Sequence, residues 1–433
     1  MSDDISIFWF RRDLRLHDNA GLYHALKGNI LVLPVFIFDT EILDDLKDKK
    51  DARVTFIYDQ IEKIHNELLK KGSDILVKYG KPEKIFKQLL SEYKIKAVYA
   101  NHDYEPYAQQ RDNEVKVFLN KQGVEFYTFK DQVIFEKDEI LTELGNPYKV
   151  YTPYKNKWLS KLNAFYTKSY PTEKYLSNLF KTTPFKFPVL KELGFERTSI
   201  ALPESVVAQG LIKKYHEQRY FPFIEGTSRL GIHFRFGTIS IREKVAKSKS
   251  LSEVWLSELI WRDFFAQVLF HFPHVVSEPF NPKFKKVNWR HDENDFKKWC
   301  EGMTGYPLVD AGMRELNATG HMHNRVRMVT ASFMTKHLLL DWRMGEAYFA
   351  EKLLDFDLAS NNGNWQWCAG TGADAQPYFR IFNPIAQQQK FDPDFIYIKK
   401  WIPEFGTLAY PKPMIDHKVA TTRAKEAFKV LTQ

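Results

Sequence analysis

The stretch LLDFDLASNNGNWQWCAGTGADAQPYFRIFNP, Leu353–Pro384, decides how the rest of the chain is read. Within about thirty residues it places two carboxylates of a D-x-D (Asp355, Asp357), adjacent amides (Asn361, Asn362), a Trp-Gln-Trp, a Gly-Thr-Gly and an Arg. No helix-packing rule demands that mixture. Asn361–Asn364 reads as a poor helix interior, because short amide side chains compete for backbone hydrogen bonds and Gly363 costs about 1 kcal/mol against Ala. Trp365 and Trp367, on either side of Gln366, want a flat partner or a core. An irregular loop tucked under a helical domain is the plain reading. The composition fits the lining of a site better.

The surrounding 433 residues suffice for two or three domains with their own cores. The apolar fraction of 44% is ordinary, but the aromatic fraction of 15% is high, and eight of the ten Trp follow residue 250. The aromatic excess therefore belongs to the second half. A net charge of +9 favours an acidic partner, most commonly nucleic acid, although solubility alone accounts for it equally well. With Cys300 and Cys368 as the two cysteines, neither a disulfide framework nor a Cys-based metal site can be argued, which suits a reducing cytosol. Met1–Asp4 begins acidic and runs into a strand, so no signal peptide is expected, and no apolar run reaches bilayer length. The expectation is a soluble, cytoplasmic protein with no membrane partner.

Upstream, the first 130 residues alternate two periods. Ile5–Phe10, Ile30–Phe38, Asp74–Lys78, Ala97–Ala100 and Val124–Phe129 read as short strands, several apolar almost throughout, as strands covered on both faces should be. Residues 53–71, 82–93 and 107–122 carry helical spacing between them, which predicts a parallel α/β sheet. A dinucleotide fold would want G-x-G-x-x-G after the first strand; Arg11–Asn19 holds no Gly there. Residues 131–202, with scattered Pro and rich in Tyr, Lys and Thr, read as a long surface connector with one helix near 151–165. From about 203 to 433 the pattern is helical, at Glu204–Glu217, Ser252–Phe272, Asp292–Gly302, Leu308–Ala318, Asn324–Trp342, Met344–Asp355 and Lys418–Leu431. Gly226-Thr-Ser-Arg-Leu-Gly231 offers the small residues that let backbone N–H groups approach a phosphate at a helix start, or simply an N-cap. Gly370-Thr-Gly-Ala-Asp-Ala375 mimics a nucleotide fingerprint, but no strand precedes it and Pro377 interrupts a helix after it. No spacing supports a metal site or a hydrolase triad.

Asp355-Phe-Asp357, Asn361–Trp367 and Asp374–Pro384 together resemble the flavin-binding signature of the photolyase/cryptochrome family, with closest agreement to the bacterial class I cyclobutane pyrimidine dimer photolyases. Arg11-Arg-Asp-Leu-Arg15 with Asp18-Asn19 resembles that family's N-terminal signature, so the likeness spans both ends. It implies a Rossmann-like five-stranded antenna-type domain over 1–130 and a larger all-helical domain over 203–433 that binds FAD non-covalently and DNA. Tyr215, Thr227, Ser228, Arg229, Leu230 and Gly231 then match the pyrophosphate site, and Arg327 pairs with Asp355 at the flavin ring. Asp357 contacts the ribityl chain or ring edge, and Asn361 faces flavin N5. Glu258, Trp261, Asn324, Met328 and Trp367 match the pocket for a flipped-out dimer. Trp365, Trp342 and Trp289 match an electron relay, and Arg219, Arg262, Arg325 and Arg380 match cations at the DNA cavity.

The family mechanism is light-driven repair of UV-damaged DNA. Excited reduced FAD donates an electron to the dimer, the ring bonds break, and the electron returns. Glu258 and Asn324 stand where histidines dominate in (6-4) photolyases, and His321 and His323 read as bystanders. A (6-4) photolyase and a cryptochrome-like light sensor are the alternatives; the chain's end soon after the flavin domain favours repair. No obligate protein partner is expected, and the protein should act as a monomer. One departure stands out. Tyr104-Glu105-Pro106 lacks the Asn-Glu that grips a folate antenna, so another flavin, a deazaflavin or nothing is expected there.

Overall fold

Strand β1, Ile5–Phe10, is buried at every position, as its unbroken apolar run predicts. The computed structural model describes residues 4–429. In it β1 is the centre of a five-stranded, all-parallel sheet with β2 (Leu31–Phe38), β3 (Leu76–Tyr79), β4 (Ile95–Asn101) and β5 (Glu125–Phe129), in the order β3-β2-β1-β4-β5. The crossovers include helices Ala52–Leu69, Pro82–Glu92 and Pro106–Lys121, close to the predicted spans. A short helix, Ala20–Leu26, lies outside the predicted set; Asn19 caps it by accepting from Leu22 N.

The Arg-rich signature after β1 is an ion-pair lattice. Arg15 and Arg242 both bond the fully buried Asp131, Arg242 also bonds Asp18, and Arg12 bonds Asp103 and Glu105. Buried charges persist only when paired in this way. The signature therefore has a structural job within its own unit.

The chain divides into two compact units: 1–136 with 162–205 and 230–247, and 137–161 with 206–229 and 248–433. The stretch expected to be a surface connector is thus shared between them. Its Tyr151–Lys161 helix is anchored by one face, because Tyr151, Tyr154 and Trp158 fall on one side of it and are buried, and Trp158 Nε1 donates to Asp263 Oδ2 at 3.0 Å.

In the second unit the helices Glu253–His271, Glu293–Cys300, Pro307–Thr319 and His417–Lys429 follow their periodicity; the predicted end of the last, at Leu431, lies outside the described residues. Glu204–Glu217 does not form the predicted helix. Residues 204–208 are irregular, and Lys214 separates two single turns, Gln209–Lys213 and Tyr215–Gln218. Asn324–Trp342 is likewise not one helix. Asn324–Ser332 runs into a wide π turn at Phe333–His337, Leu339 takes φ +53°, and Asp341 caps a new helix, Trp342–Lys352.

The largest correction falls on the opening stretch, where Leu358–Ala369 is a continuous helix. Asp357 caps its start and Gly370, at φ +79°, ends it, which is the role of the false fingerprint. Its amides bond outward to other segments: Asn362 Nδ2 and Gln366 Nε2 both donate to Val275 O at 2.9 Å, and Phe280 N donates to Gln366 Oε1 at 2.8 Å. Tertiary partners thus override a weak local propensity.

Candidate functional site

The Asn324–Ser332, Trp342–Lys352 and Leu358–Ala369 helices enclose a cavity. Its lining includes Asn324, Arg327, Met328, Asp355, Asp357, Asn361 and Trp365 of the predicted residues, together with apolar Ala331, Phe349, Leu353 and Phe356. Arg327 Nη2 donates to both oxygens of Asp355, at 3.1 and 3.0 Å. The same guanidinium is braced through Nε on Met322 O at 2.7 Å. This two-oxygen contact holds opposite charges together where either alone would be costly.

Asn361 is oriented from behind. Its Nδ2 donates to the backbone oxygen and to Oε1 of Glu346, each at 3.1 Å, so its Oδ1 stays available as an acceptor. Burial pushes the Glu346 carboxyl up to about 7, against the lowering effect of the Asn361 bond. No sequence pattern marks Glu346, fifteen residues upstream of its partner. Burial, with Arg327 adding repulsion, holds His321 down to about 3 and His323 down to about 4, so both are neutral near neutrality. Neither lines the cavity; His323 caps the Asn324–Ser332 helix by accepting from Arg325 N.

A second group of predicted residues gathers on the Glu253–His271 helix. Glu258 and Trp261 lie one turn apart there, both partly exposed. Glu258 is not alone: Arg219 Nη1 donates to its Oε1 at 2.6 Å. Trp261 stacks on Tyr151 at 3.6 Å with the rings within 6° of parallel, and Tyr151 Oη donates to Ser257 O at 2.8 Å. Neither the Arg219 pairing nor the Tyr151 buttress is visible in sequence, since both join distant segments.

The remaining predicted residues are more dispersed. Trp365 and Trp342 are buried at 2% exposure and Trp289 at 9%. Trp365 makes edge contacts with Phe349 at 4.9 Å and with Trp299 at 6.1 Å; Trp289 packs on Phe428 at 5.7 Å. The indole in edge contact with Trp365 is thus Trp299, a residue the motif reading did not single out. Tyr215 is buried, Thr227 and Ser228 are half-buried, and Arg229 pairs with Glu225 at 3.0 Å with φ +49°. A side chain at Gly226 would sit 2.6 Å from Gln218 Cβ, so only Gly fits the turn. Leu230 and Gly231 fall in the first unit, where Gly231 opens a five-residue helix. Trp367 and Arg262 are half-buried, and Arg380 is exposed with Nη1 on Gln376 at 3.4 Å. In the first unit, Glu105 is gripped by Arg12 and by Arg235, which engages the carboxylate next to the missing folate grip. Among the described residues no cluster of His, Cys, Asp and Glu is placed to hold a metal, and no helix is long and apolar enough to cross a membrane.

Comparison with known proteins identifies the family. Residues 6–174 match the DNA photolyase family, and residues 255–409 match the FAD binding domain of DNA photolyase. The chain is 37% identical to the deoxyribodipyrimidine photo-lyase of Halobacterium salinarum, covering 95% of this chain and 96% of the relative. Among solved structures, a bacterial class III photolyase from Agrobacterium tumefaciens superposes with a TM-score of 0.88 at 33% identity, covering 100% of this chain and 98% of that one. An archaeal photolyase from Sulfolobus tokodaii, solved with two FAD molecules, gives 0.83 at 34% identity over 99% and 100%. The chain belongs to the photolyase/cryptochrome family, as an enzyme of the photolyase type.

Proposed function

We propose that this protein is a light-driven cyclobutane pyrimidine dimer photolyase that acts on UV-damaged DNA with non-covalent FAD in its reduced form. The observation that carries the choice of lesion is Glu258, a carboxylate one turn from Trp261 on the same helix and joined to Arg219. A carboxylate and the Asn324 amide can bond the polar edges of thymine pairs; a (6-4) site would set imidazoles in their place.

The cavity suits an isoalloxazine. Its lining combines apolar side chains with a paired cation and anion, a further carboxylate and an amide oriented by Glu346. Bound and reduced, FAD supplies a photoexcitable one-electron donor. In this reading Arg327, Asp355, Asp357 and Asn361 bind and orient the ring, and Tyr215 with Thr227, Ser228 and Arg229 binds the pyrophosphate, the turn supplying backbone N–H groups. Trp261 and Trp367 are the stacking walls for a flipped dimer, with Met328 filling the remaining side. Glu258 stabilises charge that develops on the dimer, an electrostatic role realised only during reaction. Trp365, Trp342 and Trp289 carry the reducing electron inward, and Arg219, Arg262, Arg325 and Arg380 hold the strand through its phosphates. For the antenna, a flavin gains support from the Sulfolobus tokodaii relative, whose structure contains two FAD molecules. The protein works as a monomer without an obligate protein partner.

The test uses purified holoprotein with reduced flavin and an oligonucleotide bearing one defined cyclobutane thymine dimer, under blue light and in the dark. Restored thymines are expected only in the light, with the yield in Glu258→Gln down about tenfold or more. Restoration of a (6-4) lesion alone would shift the substrate. Bound flavin with restoration of neither lesion would mark a photoreceptor.

A further inference from the structure

A cavity of about 210 Å³ lies wholly within the first unit, lined from the Ala20–Leu26 helix, the segment after β5 and residues 165–171. It is not the place of the missing folate grip, because neither Glu105 nor the two arginines that hold it line the cavity. Its lining carries Lys130, Lys168 and Arg242 and no carboxylate. Tyr23, Phe165, Tyr166 and Tyr170 add aromatic rings. These rings are held in place. Tyr170 N donates to Asp18 Oδ1 at 2.8 Å, and the Tyr170 ring lies 4.9 Å from the Arg242 guanidinium and 5.3 Å from the Tyr23 ring. Arg242 is itself bonded to Asp18 and Asp131, so the ion-pair lattice of the Arg-rich signature also braces this wall. Tyr166 leans on the buried Phe135 at 4.6 Å, with Lys130 5.5 Å from its ring.

The polar ends in the lining are not held in this way. Lys168 Nζ, Ser169 Oγ and the hydroxyls of Tyr23 and Tyr170 make no hydrogen bond among the described residues, and Lys168 makes no ion pair among them. Burial raises the Tyr170 hydroxyl above its ordinary range, against the effect of Arg242, so it stays protonated and can donate. Asp18 and Asp131 balance Arg242, which leaves Lys168, with Lys130 in the same lining, to meet an anion. We propose that this cavity binds a mononucleotide, with its base against the Tyr23, Tyr166 and Tyr170 rings and its phosphate on Lys168 and Ser169. A flat heteroaromatic ring stacks on tyrosine whatever its substituents, and a phosphate offers acceptor oxygens to several donors at once. Volume sets the upper limit. About 210 Å³ is below the roughly 300–1,000 Å³ of sites for drug-sized ligands, so one base with one phosphate fits and a dinucleotide does not. The site is distinct from the proposed flavin cavity, which lies in the second unit, and the inference rests on neither the lesion nor the light chemistry.

The test is equilibrium dialysis of the flavin-loaded holoprotein against adenosine 5′-monophosphate, adenosine and inorganic phosphate in turn. With the flavin cavity filled, added nucleotide reports on this second site. The monophosphate is expected to bind with Kd below about 1 mM, and adenosine and phosphate each about tenfold or more weakly. Lys168→Ala should weaken the monophosphate to the level of adenosine and leave adenosine itself unchanged. Tyr170→Leu should weaken both by about tenfold, since both lose a stacking ring. The proposal is overturned if the monophosphate shows no saturable binding, or if phosphate alone binds as tightly, which would mark a bare anion site. It is overturned equally if both variants bind the monophosphate as wild type does. A short oligothymidylate that displaces the monophosphate as effectively as free nucleotide would assign the cavity to a strand and overturn the free-mononucleotide assignment. Where Tyr170→Leu does not fold, Lys168→Ala carries the decision, because Lys168 is exposed and its truncation leaves the packing intact.

Discussion

Glu346 acts on the cavity without lining it. An ionised carboxylate can only accept, so it fixes the Asn361 amide with nitrogen toward Glu346 and oxygen available to a ligand N–H. A protonated carboxyl could instead donate to the amide oxygen and release that orientation. Burial raises this group to about 7 from an ordinary 4.5, so folding favours its protonated form. The stability it contributes is therefore complete below about pH 4.5 and is lost as pH rises through about 7. Glu346→Gln removes that loss. Denaturant unfolding should find the variant and wild type within error of each other's pH trend near pH 5. At pH 8 the variant should be relatively more stable by on the order of 2 kcal/mol. Parallel pH profiles for the two proteins would show that Glu346 is already ionised in the folded state at no cost.

At the scale of the element, the Leu358–Ala369 helix tests whether propensity or packing governs this region. Gly363 in a helix interior should cost about 1 kcal/mol, and on propensity alone Gly363→Ala stabilises. The structure opposes it: a Cβ at 363 would stand 2.1 Å from Cδ1 and 2.3 Å from Cε1 of Phe265, a ring with no flexible end to move aside. Overpacking of that kind costs about 1–3 kcal/mol, so the substitution should lower the melting temperature by a few degrees. A rise in melting temperature would mean that Phe265 can yield. The same helix shows why sequence reading failed here and succeeded on the sheet. Strands β1 and β2 are apolar on both faces, and that pattern is local, so β1 was legible to the residue and β2 within one. Asn361–Asn364 is helical because Val275 O accepts from Asn362 and because Phe265 leaves room only for hydrogen at 363. Val275 lies 87 residues from its partner and Phe265 lies further still, beyond any local rule. The cavity residues were legible through their motif, and Arg327 does meet Asp355. The groups that orient them, Glu346 on Asn361 and Tyr151 on Trp261, carry no motif and emerge only from the packing.

For the whole molecule, the question is whether its net charge of +9 or a few placed guanidiniums governs binding to DNA. Net charge acts through the mean field, is screened over about 8–10 Å at physiological salt, and steers encounter more than it holds a complex. Contacts to phosphate release counterions one by one. Four contacts from Arg219, Arg262, Arg325 and Arg380 predict a single-strand slope near about −3, and therefore roughly a 50-fold loss of affinity between about 50 and 200 mM salt. If all nine excess charges acted, the slope would approach about −6 and the loss would run to several thousand-fold. Two variants that each remove one positive charge separate these cases. Arg380→Ala, exposed beside the Trp367 segment, should flatten the slope by about 0.7 under the local account, and Lys70→Ala, exposed at the end of the Ala52–Leu69 helix in the other unit, should leave it unchanged. Equal flattening by both would assign binding to the diffuse field. It would also remove the physical basis for a strand held at fixed phosphates. A flipped-out base requires such a strand, since extruding one nucleotide demands that its flanking backbone be clamped while the stack is broken.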